Sequence, residues 1–449
     1  MAGGGRVSRC SVSLEVALDN RTVRIYFQHL NESQGGKLAL KSRVAREFGA
    51  LGILLCVDTL LAIVVAHVLP FYAPNEEHLY AAQEFAAHHF ISSVFVPIGY
   101  SGLLGISDLL GGQAGMTVLT VMLSLLVIVA AWFYLRGLGL SQKSTLVLTG
   151  LLSVYPDFLL SLHKAQDTAI TAALLFAFLT FLMKSLREGE FGWVDGGLAL
   201  TLGYSLLVRP NLLPLLVLTW FLFWQFRVPK AFRRVVIQLL IVVACYLAGT
   251  TAIHRSPFLP QNGPYNFCAG FNEYTQDYSN EEDSLLRVLA AHGVRLPEQA
   301  DPFSYEAKRS LSLAPAYRHL AVQFIREHPG TAVWLIGVKF WNMMRPDFQV
   351  HSAKSLGGML KILSALAVPL WVLGMFVLPH PGPPRVKYVL VLTVALYILP
   401  FLVTVSSPRF RVPLDFLCWV DLGGMVWAWR MRPAGADKKL GGAGNGLAA

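Results

Sequence analysis

The chain has 449 residues, 54% of them hydrophobic and only 14% charged, with a net charge of +10. Ordinary globular domains carry about 25% charged residues, so a soluble protein of this length would lack the polar surface it needs. A basic chain can bind nucleic acid, but here Lys and Arg gather at the ends of apolar runs, the pattern that orients a membrane protein, which excludes nucleic acid and leaves membrane lipids as the partner of the charge.

Residues 1–48 form a polar segment with eight Lys and Arg, including Lys37, Lys41, Arg43 and Arg46 just before the first apolar run. That bias predicts a cytoplasmic N-terminus. The first run begins near residue 49, too late and too long for a cleaved leader, and reads as a signal anchor. Apolar runs predict spans at 49–70, 115–135, 145–162, 167–184, 194–208, 211–226, 235–253, 360–378, 388–405 and 411–429, each of a length suited to ~30 Å of hydrocarbon. The loops this order places inside carry Arg136 and Lys143, Lys184 and Arg187, Arg227 to Arg234, and Arg385 and Lys387, whereas the loop 71–114 has no Lys or Arg. About ten spans therefore put both termini on the cytoplasmic side of the inner (plasma) membrane, with the active face extracytoplasmic. The expected organisation is a cytoplasmic segment 1–48, a transmembrane module 49–253 with an acidic outer loop 71–114, an extracytoplasmic insertion 254–358, a second transmembrane module 359–430 and a disordered cytoplasmic tail 431–449. The fold class is all-α and polytopic.

Two stretches of the insertion have helical character. Residues 331–344 are apolar but too short to cross, and are expected as an interfacial or re-entrant helix. Residues 315–328 are amphipathic, and are expected to lie on the membrane with Leu320, Phe324 and Ile325 toward lipid. The five cysteines, Cys10, Cys56, Cys245, Cys268 and Cys418, form no short-spaced motif and imply neither a disulfide framework nor a zinc site.

Residues that could carry chemistry lie on the predicted outer side. In Pro74-Asn75-Glu76-Glu77-His78-Leu79-Tyr80, Pro74 stops one element and Asn75 can cap a helix that opens on two acids. Glu76, Tyr80, Glu84 and His88 then form a polar stripe at i, i+4 spacing, which fits a functional face and a solvated one equally. Asp157 and Asp167 bracket His163 and Lys164 at membrane edges, where an ionisable residue lines a cavity or finds a partner. Asp167 can also simply cap a helix. Arg209 sits between two spans and can grip a phosphate bidentately or snorkel to headgroups. Lys339 lies in the short helix 331–344. Arg409 and Arg411 open the last span on the outer side, against the positive-inside bias, and an anionic ligand is one reason for that. Carboxylates on the first loop and cations on later elements suit a lipid phosphate held at headgroup level, with a carboxylate as general base and cations on the leaving group.

With these residues in view, the sequence resembles the polyprenyl-phosphate-sugar glycosyltransferases of the GT-C superfamily, of the protein mannosyltransferase type. The likeness rests on Glu76-Glu77-His78-Leu79-Tyr80 and Pro97-Ile98-Gly99-Tyr100; on Arg209-Pro210-Asn211; on Asn262-Gly263-Pro264-Tyr265-Asn266-Phe267 with Gly270 and Asn272, followed by Glu327-His328-Pro329-Gly330 and Lys339; and on Arg409-Phe410-Arg411-Val412-Pro413-Leu414. It implies a GT-C-like bundle and a donor that is a polyprenyl-phosphate-linked sugar. The family's catalytic acid, usually Asp, sits on the first outer loop, where this chain has Glu76 or Glu77. Asp167 matches an acidic position at the start of a later span. Arg209, Lys339, Arg409 and Arg411 are expected at the donor phosphate, and His78, Tyr80, His163, Lys164, Asn266 and Asn272 along the substrate. No cofactor is required, although a divalent metal ion is compatible with Glu76, Glu77 and His78. The expected activity is transfer of the sugar to a glycan, lipid or protein acceptor with inversion at the anomeric carbon. Two other classes compete: a transporter or flippase for a lipid-linked or anionic solute, and a noncatalytic subunit of an envelope assembly. Transporters commonly show paired repeats and midplane sites, and neither pattern is present in the sequence.

Overall fold

A computed structural model describes residues 34–68, 76–91, 97–163, 167–187, 191–255, 262–275, 281–295, 313–346, 356–405 and 407–431. Among them the regular structure is helical throughout, with no strand. Two units are distinguished, residues 1–53 and 54–449, and the helices that build the site belong to the second.

The helices are α1 (Gln34–Val68), α2 (Glu76–His88), α3 (Ile98–Gly137), α4 (Gln142–Ser153), α5 (Pro156–His163), α6 (Thr168–Ser185), α7 (Trp193–Val208), α8 (Leu213–Gln225, after a 3-10 turn at Pro210–Leu212) and α9 (Ala231–His254). After them come α10 (Asn262–Gly270), α11 (Glu281–Ala291), α12 (Ala314–Glu327), α13 (Pro329–Met344), α14 (Leu356–Ala365), α15 (Ala367–Val377), α16 (Pro384–Val403) and α17 (Pro408–Arg430). Each segment expected to span overlaps one helix or two among the described residues. Among the described residues five stretches are long and apolar enough to cross a membrane alone: Glu47–Val65 within α1, and α3, α6, α9 and α16. The expected spans 145–162 and 360–378 are each two shorter helices, α4 with α5 and α14 with α15. The first break is legible in the sequence, because Pro156 cannot donate the backbone bond that a continuous helix needs.

Helix α3 is one element by hydrogen bonding but two by geometry. Gly112 has φ 53° and ψ −132°, a conformation that glycine adopts without a Cβ clash. Its second part is the span expected from residue 115. Its first part belongs to the segment 71–114 and packs along α2. Gly99 there meets the end of α7 so closely that a Cβ would lie 2.7 Å from the Val208 backbone nitrogen. Tyr204 Oη donates to the Gly99 carbonyl at 3.0 Å, and the Ile91 N–H donates to the Ile253 carbonyl at 3.0 Å. The loop 71–114 is therefore no free strap: its described helices are fastened to the ends of α7 and α9.

At the opposite end of α6, α7 and α9, Asp195 accepts from Arg234 Nη2 at 2.7 Å, Ser185 Oγ at 2.5 Å and Gln238 Nε2 at 3.0 Å. Both charges are fully buried. A further fixture holds α17: Asp421 accepts from Tyr134 Oη at 2.9 Å and Trp371 Nε1 at 2.8 Å. Buried charge of this kind persists only when fully paired, and these networks clamp the bundle away from the end where α6 begins and α7 stops.

The insertion corrects an expectation. Leu320 and Phe324 do not face lipid; with Tyr265, Cys268, Phe271, Leu285, Leu289, Tyr317 and Leu335 they form a separate apolar core, and Ile325 packs against it. The amphipathic period of 315–328 is real, but its apolar face meets α10, α11 and α13 rather than a bilayer. Burial in this core pushes the Cys268 thiol up to about 12, which leaves it inert. Helix α13 presents exposed Val333, Trp334, Phe340 and Trp341 and buries Ala332, Leu335, Lys339, Asn342 and Met343 on its other side.

Candidate active site

Asp167 precedes the first turn of α6, and Arg209 ends α7 in an extended conformation. The extended turn follows from Pro210, which disfavours helical geometry at the residue before it. Although 42 positions separate them, the two side chains form a bidentate pair, Arg209 Nε to Oδ2 at 2.5 Å and Nη2 to Oδ1 at 2.6 Å. The pair is well sheltered, with Arg209 8% and Asp167 13% exposed. Arg209 Nη1 donates to Tyr397 Oη at 2.9 Å, and Tyr397 Oη donates to the Phe410 carbonyl at 3.0 Å. These contacts engage three of the five N–H groups a guanidinium carries. Burial alone would weaken the guanidinium's hold on its proton, but the Asp167 charge and the Tyr397 oxygen reverse this and raise its pKa.

Around the pair lie more charges. The Arg409 guanidinium stacks over Phe410 at 4.8 Å, and Arg209 lies 5.6 Å from the same ring. Phe410 in turn stacks on Phe401 at 4.7 Å. His78 and Arg409 both act electrostatically on the Asp167 carboxylate. His78, in the first turn of α2, is buried and lies 2.7 Å from Ser101 Oγ through Nδ1. Tyr100 packs edge-on against its ring at 5.4 Å. The start of α2, the start of α3, the start of α6, the end of α7, the end of α16 and the start of α17 thus meet at one end of the bundle.

Lys339 borders the same corner. It is 5% exposed, its Nζ stands 3.4 Å over the Phe271 ring, and a Cβ on Gly270 would lie 2.7 Å from that Nζ and 2.1 Å from the Thr404 carbonyl oxygen. Only glycine at position 270 lets α10, Lys339 and the turn between α16 and α17 come together.

The expected site residues do not all converge. Glu76 and Glu77 open α2, but their side chains lie outside the described residues, as do those of His163 and all of Lys164. Asp167, Arg209, Arg409 and His78 share one neighbourhood, and Lys339 adjoins it. Tyr80 is exposed. Asn266 is half-buried on α10. Asn272 is buried in the insertion, where Nδ2 donates to the Cys268 carbonyl at 2.9 Å and Oδ1 accepts from Tyr274 N–H at 2.8 Å. Arg411 is buried, with Nε donating to both Asp415 oxygens at 3.0 Å and Nη1 turned to backbone carbonyls at the end of α13. The sequence alone did not single out Tyr397, Ser101 or Asp415. Asp415 had a visible signal, an acid inside an apolar run; Tyr397 and Ser101 had none. Among the described residues no group of three His, Cys, Asp or Glu side chains is placed to hold a metal ion.

No family model and no curated protein matches the sequence. Among solved structures, the crystal structure of ArnT from Cupriavidus metallidurans bound to undecaprenyl phosphate is similar over 85% of this chain and 78% of that one, at 14% identity and a TM-score of 0.38.

Proposed function

We propose that this chain is a membrane glycosyltransferase that takes a sugar from a polyprenyl-phosphate carrier at the extracytoplasmic membrane boundary. One observation carries the reading: Arg209 pairs with Asp167 at one end of the bundle, Arg409 shares the Phe410 ring with Arg209, Lys339 lies at the turn between α16 and α17, and the first turn of the helix beginning Glu76-Glu77 adjoins Asp167 through His78. A group of cations at a low-dielectric boundary attracts anions to it. A phosphate monoester or diester on a lipid is such an anion, and Arg is suited to hold it. The order of motifs that resembles the GT-C enzymes points to the same class.

In this reading Asp167 is not the base, because its two oxygens are taken by Arg209. It orients the guanidinium toward the donor phosphate. Glu76 or Glu77 accepts the proton of the acceptor's hydroxyl or amine as that atom attacks the anomeric carbon. The bond from the anomeric carbon to the phosphate oxygen breaks, the electron pair leaves with the phosphate, and the cations stabilise the charge gained. One displacement inverts the anomeric centre. The test is sugar transfer by Glu76→Gln and Glu77→Gln variants in membranes from a strain lacking the protein, with lipid-linked sugars followed by mass analysis. One of the two variants should lose transfer by about 100-fold or more while inserting normally, and the donor should accumulate. Full transfer by the doubly substituted protein would remove both glutamates from the role of base and, with it, the displacement described here.

A further inference from the structure

Resting on that reading, we infer that Arg411 is a positioning residue that fixes Lys339 relative to Arg409, rather than a ligand of the phosphate. Arg411 is 2% exposed. Its Nη1 faces three successive carbonyls, Met343 at 2.9 Å, Met344 at 2.6 Å and Arg345 at 3.1 Å. These are the last carbonyls of α13, which have no partner within the helix and carry its negative dipole end. A guanidinium is a suitable cap for them, being planar, permanently charged and rich in donors. Arg411 is itself held by Asp415, one turn along α17, and Ser364 of α14 donates to Asp415 at 3.1 Å. One side chain therefore locks the end of α13 to the start of α17.

The lock is placed to control the site. Lys339 precedes Met343 by four residues, so both lie on the same face of α13, and both are buried. Arg409 precedes Arg411 by two residues in the first turn of α17. A slip of α13 by one residue would shift Lys339 by about 1.5 Å and turn it by about 100°, away from the Thr404 corner. The Arg411 contacts oppose that slip. Lysine at 411 keeps the charge but not the fork that reaches a carboxylate and three carbonyls together.

The experiment uses the full chain in detergent, with farnesyl phosphate as the probe and farnesol as its uncharged control. Amide exchange over 338–346 is measured in parallel. Arg411→Lys should speed exchange in that segment roughly ten-fold or more and weaken farnesyl phosphate to a similar degree as Lys339→Ala. The double variant should bind no more weakly than Lys339→Ala alone. Asp415→Asn, which keeps the shape of the side chain, should move both readouts in the same direction and serves if Arg411→Lys does not fold. Unchanged exchange in both variants overturns the inference. So does a double variant whose loss is the product of the single losses, because that result makes Arg411 a direct ligand. If the wild-type chain binds farnesol as tightly as farnesyl phosphate while Arg411→Lys still loosens 338–346, the lock stands and the phosphate reading falls.

Discussion

Removing Asp167 should unfold the site from within. The Asp167→Ala substitution strips a buried guanidinium of two short hydrogen bonds and its counter-charge. Opposite charges about 4 Å apart attract by roughly 4 kcal/mol at an effective dielectric of about 20, and breaking a buried pair by deleting one partner costs about 3–5 kcal/mol. The shelter of this pair, 8% and 13% exposed, puts it in that class and not among surface bridges. Asp167→Ala and Arg209→Ala should therefore each destabilise by about 3–5 kcal/mol, with Arg209→Ala also leaving Tyr397 Oη without its donor. The double variant removes the uncompensated charge, so it should fall short of the summed losses by about 2–3 kcal/mol. Unfolding in bicelles by added dodecyl sulfate, followed by far-UV circular dichroism, measures all three. A double variant equal to the sum within about 0.5 kcal/mol would refute the pairing and with it the geometry of the site.

Two further outcomes concern the packing. Gly99→Leu should cost about 1–3 kcal/mol and reduce transfer, because the new side chain must enter the space held by Val208 and push α2 from the site; melting and transfer assays on the same preparation check it, and an unaffected variant would mean that α3 and α7 are not so close. Asp195→Ala should destabilise by about 3–5 kcal/mol by leaving Arg234 unpaired in an apolar surround, yet leave transfer per folded molecule unchanged, since this network lies at the other end of α6 and α7. A fall in that specific activity would place it in the catalytic unit.

The helices were legible in the sequence because apolar runs mark them, although among the described residues only five stretches are long and apolar enough to cross a membrane alone. Asp167 and Arg209 were visible as costly charges at membrane edges, but their pairing was not: nothing in the chain between them encodes that α6 starts where α7 ends. The error at Leu320 and Phe324 has a plain cause. Helical periodicity tells which side of α12 is apolar, and a bilayer and a protein core satisfy that side equally. Only the presence of Tyr265, Leu285 and Leu335 nearby decides between them, and those contacts join residues far apart in the chain. Arg411 carries a similar ambiguity. A cation that defies the positive-inside bias needs a counterpart, and helix C-terminal carbonyls, invisible to any motif, supply one as well as a phosphate does.

Helix α13 belongs to two assemblies at once. Ala332 and Leu335 are rooted in the separate apolar core, while the carbonyls capped by Arg411 meet the start of α17. A stiff rod shared in this way carries any displacement of that core to the Lys339 ammonium by two routes, along the helix itself and through the Phe271 ring on which the ammonium rests.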